Sequence, residues 1–295
     1  MNEKQNMSDD QIKKAVAAIK AERPAYEKLL DFFEKLFLAQ EETKGHLDLE
    51  PIEIPKDLLS VKRQEKFPLV NRADFAIDTK ASGALLKKIC RLSAEATEVL
   101  AEACSKISNA LEKGALEPTT LFSKLLMEDD AYFQEVSQGL EIDKKVLTFV
   151  AYTSIMPALS LCAEQLTACL DKDTPWQKGY CPICGSPPAL SILRDEGQRS
   201  LLCSFCGHEW QALRIYCPFC DNKDRKTLHY FFSEEEEEGY RVDMCDQCKR
   251  YIKTVDTRKM SHPVHPLVEH ISTLHLDILA QEQGLESGIP SWLQT

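Results

Sequence analysis

Apolar residues recur at intervals of three and four through the first half of the chain, and this spacing predicts a series of amphipathic helices. Ser8 and Gln11 form a capping box ahead of the stripe Ile12, Val16 and Ile19. A second stripe follows Pro24 and runs through Tyr26, Leu29, Phe33, Leu36 and Phe37. Between residues 45 and 76 the pattern breaks. Pro51, Pro55 and Pro68 each remove a backbone donor there, which leaves an irregular connection with one short helix around Leu58. Helical spacing returns from about residue 82 to 111 through Leu85, Ile89, Leu92, Val99, Ala103 and Ile107, and Gly114 is placed to stop it. Two or three further helices fit between residues 119 and 170.

After Pro175 the texture changes to short β-like runs. Residues 189–193 and 200–202, joined by a stretch containing Gly197, read as one hairpin. Residues 227–232 and 240–244 read as a second, with the run Glu234 to Glu238 as a solvated tip. Leu267, Ile271, Leu274, Leu276, Ile278 and Leu279 then indicate a final amphipathic helix closing at Gly284.

The formal net charge of -11 over 295 residues argues against a general affinity for phosphate backbones or anionic membranes, since such binding is largely counterion release by Lys and Arg. Residues 1–10 are polar and carry acids, unlike a secretory leader, so a cytoplasmic location is expected. The uncharged stretch 146–163 contains Thr148, Tyr152, Thr153, Ser154, Pro157 and Ser160, which fits a core helix bent at Pro157 better than a membrane span. Twelve cysteines in a reducing compartment are not a disulfide framework. Cys90, Cys104, Cys162 and Cys169 stand alone in helical stretches and read as small core residues.

The other eight form four C-x-x-C pairs: Cys181/Cys184, Cys203/Cys206, Cys217/Cys220 and Cys245/Cys248. Each hairpin lies between two pairs. Two residues between cysteines let both sulfurs of a tight turn reach one ion, and the hairpin brings a second turn alongside to complete a tetrahedron. The pattern therefore predicts two tandem zinc-ribbon or rubredoxin-like modules and two metal ions, each in a four-cysteine site. Zinc and a single iron suit four thiolates equally. A residue with positive φ is expected after the second cysteine of each turn. Gly185 and Gly207 supply it, whereas Asp221 and Lys249 suggest less ideal or differently shaped turns in the second module.

With four cysteines on each ion, no coordination position remains for substrate or water, which argues against metal catalysis. Binding of this kind is worth roughly 10–16 kcal/mol in small fingers, so the region should need metal to hold its fold. Arg214, Arg241, Lys249 and Arg250 are candidates to offset the thiolate charge. His208 is a candidate donor to the first site. His262, His265, His270 and His275 read as surface or helix-packing residues. No nucleophile motif, phosphate loop or dinucleotide fingerprint is present.

The stretch from Trp176 through Cys181-Pro182-Ile183-Cys184-Gly185-Ser186-Pro187, then Cys203-Ser204-Phe205-Cys206, Glu209-Trp210, Arg214, Cys217 and Cys220, resembles the formate dehydrogenase accessory protein family, FdhE. Residues 245–253 and 272–284 are similar to it as well, and Phe67-Pro68-Leu69 and the Pro157 helix fit more loosely. The resemblance implies an α+β architecture: a helical domain over 1–174, rubredoxin-like modules over 175–213 and 214–261, and a C-terminal helix and tail over 262–295. It implies a non-enzymatic, cytoplasmic role in producing active formate dehydrogenase, with the catalytic subunit as partner, no nucleic acid and no membrane insertion. A homo-oligomer is compatible with it. Where the family has an Asp-Asp pair before the final helix, this sequence has Glu269-His270, a change that bears on client choice if the pair touches the client. Two other functions fit the motifs: a zinc-ribbon nucleic-acid-binding protein, and a rubredoxin-like electron carrier.

Overall fold

The structure, a computed structural model, describes residues 9–171, 176–233 and 239–289. Ser8 of the expected cap, the domain boundary expected at 174 and the five-glutamate tip lie outside these residues.

The first half is helical. Helix α1 (Asp9–Glu22) buries Ile12, Val16 and Ile19, and α2 (Glu27–Lys44) buries Leu30, Phe33, Leu36 and Phe37. The proline-broken connection holds α3 (Lys56–Glu65). Next come α4 (Thr79–Leu92), capped by Asp78, and α5 (Glu98–Glu112), capped by Thr97. The sequence pattern ran these two together. The chain breaks at Ser93, whose hydroxyl donates to the carbonyl of Ile89, and Thr97 starts a new helix in a new phase. Val99, expected inside, is accordingly 67% exposed.

Helices α6 (Pro118–Leu126), α7 (Asp130–Leu140) and α8 (Lys144–Leu166) follow. Among the described helices, α8 is the one long and apolar enough to cross a membrane, and two-thirds of that window is buried within the protein. Pro157 lies inside it. A proline at this position cannot donate to the carbonyl four residues back. Gln40 of α2 supplies the missing donor, its Nε2 lying 2.7 Å from the Thr153 oxygen.

The second half is one sheet. Strands β1 (Pro188–Arg194), β2 (Gln198–Cys203) and β3 (Glu209–Ala212) form the first antiparallel unit, and β4 (Leu228–Phe231), β5 (Tyr240–Cys245) and β6 (Arg250–Asp256) the second. Their spatial order is β3-β2-β1-β6-β5-β4. The two units repeat head to tail, and the third strand of one runs parallel to the first strand of the other, Leu190 opposite Lys253 and Leu193 opposite Asp256. A short β7 (Glu286–Ser287) adds to β6. The hairpins were legible in the sequence; β3 and β6, each of which pairs with its neighbour in sequence, were not read, and the seam joining the modules was not legible because it pairs strands far apart along the chain.

Period-two alternation gives this sheet two faces. One carries Leu190, Ile192, Leu202, Tyr240, Val242, Tyr251 and Val255, which cluster with Leu276 and Ala280. These last two come from α10 (Leu274–Glu282), which follows α9 (Pro266–Ser272). The single final helix expected is thus split at Thr273. Lys253, 2% exposed, sits under the break and donates to the carbonyl of His270 and to Asp277. Its charge caps the end of α9 while pairing with α10.

Candidate metal centres

The structure groups the eight cysteines as their spacing predicted: Cys181, Cys184, Cys203 and Cys206 in one cluster, and Cys217, Cys220, Cys245 and Cys248 in the other, with all sulfurs of a cluster within 4.8 Å of one another. In the first, Cys184 Sγ lies 3.5 Å from Cys203 Sγ and 3.6 Å from Cys206 Sγ, and Cys181 Sγ lies 3.7 Å from Cys206 Sγ. In the second, Cys217 and Cys248 are 3.6 Å apart and Cys220 and Cys245 3.7 Å. A tetrahedron with metal–sulfur bonds of about 2.3 Å has edges of roughly 3.8 Å, so both clusters have the dimensions of a four-thiolate metal site.

Three of the four knuckles share one backbone turn. The amide of Gly185 donates to the carbonyl of Cys181, Asp221 to Cys217 and Lys249 to Cys245, at 2.8–3.0 Å. The residue after each second cysteine has positive φ: 76° at Gly185, 69° at Gly207, 60° at Asp221 and 56° at Lys249. The expectation of a different turn shape in the second module is therefore corrected. What differs is the space around the turn. A Cβ on Gly185 would lie 2.9 Å from Pro68, and one on Gly207 2.9 Å from Met156. Asp221 and Lys249 are exposed, so only the backbone strain of the left-handed region opposes a side chain there.

The contacts at Pro68 and Met156 belong to a larger clasp by the helical half on the first cluster. Leu69 and Val70 amides donate to the carbonyls of Pro182 and Ile183, each at 3.0 Å. Tyr152 of α8 donates to the carbonyls of Ser204 and Phe205 at 3.0 and 2.8 Å. Arg72 lies over the Phe205 ring at 4.9 Å and donates to Ser186, with Glu128 pairing its outer face. It is the cation beside the first cluster, and burial pulls its pKa down despite the nearby Cys184 and Cys203 sulfurs. Sequence reasoning missed Arg72 and Tyr152, which lie 109 and 29 residues before Cys181; the loose Phe67-Pro68-Leu69 motif and the Pro157 helix pointed to these segments without naming them.

The four sequence-selected basic residues all lie at the second cluster instead. Lys249 pairs with Asp246 and Arg241 with Asp243, while Arg214, Arg241 and Arg250 line a cavity beside Cys217 and Cys245. His208 enters the first site through its main chain, its carbonyl accepting from the Cys203 amide at 2.9 Å.

Electrostatics separate the clusters. All four sulfurs of the first are buried, while Cys220 and Cys248 of the second are partly exposed. Burial pushes the Cys181 and Cys206 thiols well up, whereas contacts from the neighbouring sulfurs push Cys184 down. Four buried thiols cannot ionise together without a counter-charge, and a divalent cation provides it. In the second cluster burial raises Cys245, but the Asn222 amide, 3.4 Å from its sulfur, and backbone donors outweigh this and bring it to about 7.

Other candidates resolve against function. Cys90 and Cys104 are buried core residues of α4 and α5, as expected. The four C-terminal histidines are packing residues: His265 stacks on Phe37 with ring centroids 5.8 Å apart, and His275 meets the Tyr26 hydroxyl at 2.8 Å. Glu269 is fully buried, held by the Tyr240 hydroxyl at 2.6 Å, and burial drives His270 neutral. Glu269 thus faces the interior, while His270 beside it is partly exposed.

Two family descriptions match the cysteine-bearing half end to end: "FdhE, central domain" over residues 180–214 and "FdhE, C-terminal domain" over residues 215–293. This half of the chain is of the FdhE family. A protein FdhE homolog of Aquifex aeolicus is 36% identical over 155 residues, covering 50% of this chain and 53% of that protein. Protein FdhE of Escherichia coli O127:H6 is 31% identical over 111 residues, 37% of this chain and 35% of that one. The aligned chain thus spans between a third and about half of these relatives. The crystal structure of the FdhE protein from Pseudomonas aeruginosa shares the fold, with a TM-score of 0.65 at 18% identity over 98% of this chain and 97% of that one. The shared fold therefore extends through the helical half.

Proposed function

We propose that this protein is a cytoplasmic accessory factor for the maturation of a formate dehydrogenase, that it acts by contact with the catalytic subunit, and that it is not itself an enzyme. The observation that carries the reading is the family match across both clusters. In this reading the eight cysteines are the ligands of two ions, zinc or iron. Closed four-cysteine sites supply charge and rigidity and leave no position for substrate, which supports a scaffold over a catalyst. Such an ion would fix the knuckles on which Tyr152 and Arg72 converge, and so hold the sheet in register with the helical half.

The test is co-purification. The tagged chain, recovered from native cells during synthesis of formate dehydrogenase, should bring down the catalytic subunit, and cells lacking it should make that subunit without activity. Full formate dehydrogenase activity in the deletion strain overturns the proposal. Retention of DNA or RNA that is lost as salt rises would favour the nucleic-acid alternative. Reversible cycling of bound iron would favour the electron carrier.

A further inference from the structure

The sheet face turned away from α9 and α10 carries polar side chains over a cavity of about 370 Å³. Five arginines line it, Arg199, Arg214, Arg225, Arg241 and Arg250, against one carboxylate, Asp243. Such a concentration of positive charge is unexpected on a chain of net charge -11.

The five divide by their surroundings. Arg199, 4% exposed, forms the floor: its Nε donates to Ser191 at 2.8 Å and its Nη1 to the Tyr216 carbonyl at 3.0 Å. Arg241 is braced by Asp243 at 2.7 Å and lies 4.8 Å from the centroid of the Tyr230 ring. Arg214, Arg225 and Arg250 are exposed at the rim, and no carboxylate among the described residues pairs with them. Offsetting thiolate charge does not account for this set. The first cluster is the more deeply buried and needs compensation more, yet Arg72 is the cation beside it.

We propose that this cavity binds a small organic phosphate of nucleoside-diphosphate type, with the phosphates held by Arg214, Arg225 and Arg250 and the ring system against Tyr230 and Phe219. Guanidinium groups match phosphate oxygens in pairs, and aromatic walls accept a flat ring. The volume falls in the range of small-molecule sites. An acidic protein surface fits less well. A macromolecular anion senses the negative charge of the whole chain, whereas a small ligand inside one Debye length, about 8 Å, senses mainly the local arginines.

Calorimetric titration of the full-length, metal-loaded protein with ADP and with pyrophosphate tests this, at about 50 mM salt where screening is weak. Both should bind, ADP more tightly. Arg225→Gln and Arg250→Gln should each weaken binding about tenfold, with metal content unchanged as the measure of an intact fold. Absence of binding by either ligand at about 1 mM, roughly the weakest affinity of interest, overturns the proposal. So does binding indifferent to both substitutions, or displacement of ADP by an oligoglutamate peptide at lower concentration.

Discussion

The Tyr152 hydroxyl donates to the Phe205 carbonyl at 2.8 Å and to the Ser204 carbonyl at 3.0 Å, tying the long helix of the first half to the knuckle between Cys203 and Cys206. Each carbonyl sits where no strand partner reaches it, and burial raises the phenol well above its ordinary pKa. The bond is one part of the clasp at the more buried cluster, beside the Leu69 and Val70 amides and Arg72.

Tyr152→Phe keeps the ring and removes the donor. It should cost about 1–3 kcal/mol in denaturant unfolding, the loss of a buried hydrogen-bond donor. Release of metal to a chelator should speed up at the first cluster and stay unchanged at the second.

Glycine at the knuckles gives an asymmetric expectation. Gly185→Ala combines a φ of 76° with a contact of 2.9 Å to Pro68, and it should destabilise by more than the roughly 1–2 kcal/mol of the backbone strain alone. Lys249→Gly relieves a φ of 56° in open surroundings and should stabilise by about 0.5–1 kcal/mol. Thermal unfolding of the two metal-loaded variants measures both signs.

The pH response of His265 has a definite direction. Burial holds its folded pKa at about 4, below the 6.5 of an exposed imidazole. The unfolded chain therefore takes up a proton first, so stability from this group is complete above about pH 7 and is lost as pH falls from about 6.5 toward 4. The full loss is about 3 kcal/mol, of which about 1 falls between pH 7 and 5.5. Glu269, raised by burial, works in the opposite sense, so the readout is the difference between wild type and His265→Gln. That difference should shrink by about 1 kcal/mol as pH drops from 7 to 5.5.

What the sequence disclosed follows from range. The C-x-x-C spacing fixes both sulfurs of a knuckle locally, and a short hairpin fixes its partner knuckle, so both clusters were legible. The helical stripes were legible too, until the chain broke at Ser93 and Thr273. No periodicity marks such breaks: the helix tightens at Ser93 into a short turn that leaves helical geometry at Ala96, and Thr273 is bridged by Lys253 from a distant strand. The joining of two modules into one sheet and the approach of Arg72 and Tyr152 rest on tertiary contacts that no local pattern encodes. Glu269 shows the converse: nothing around it in the sequence marks a buried carboxyl, because its burial depends on Tyr240.

Metal stoichiometry addresses the central claim most directly. Elemental analysis of the protein purified from its native host should find two ions per chain, with Cys181→Ser and Cys245→Ser each lowering the count to one and the double variant to none. A folded wild-type chain carrying no tightly held ion, or single variants that keep both, would contradict the assignment of the two cysteine clusters.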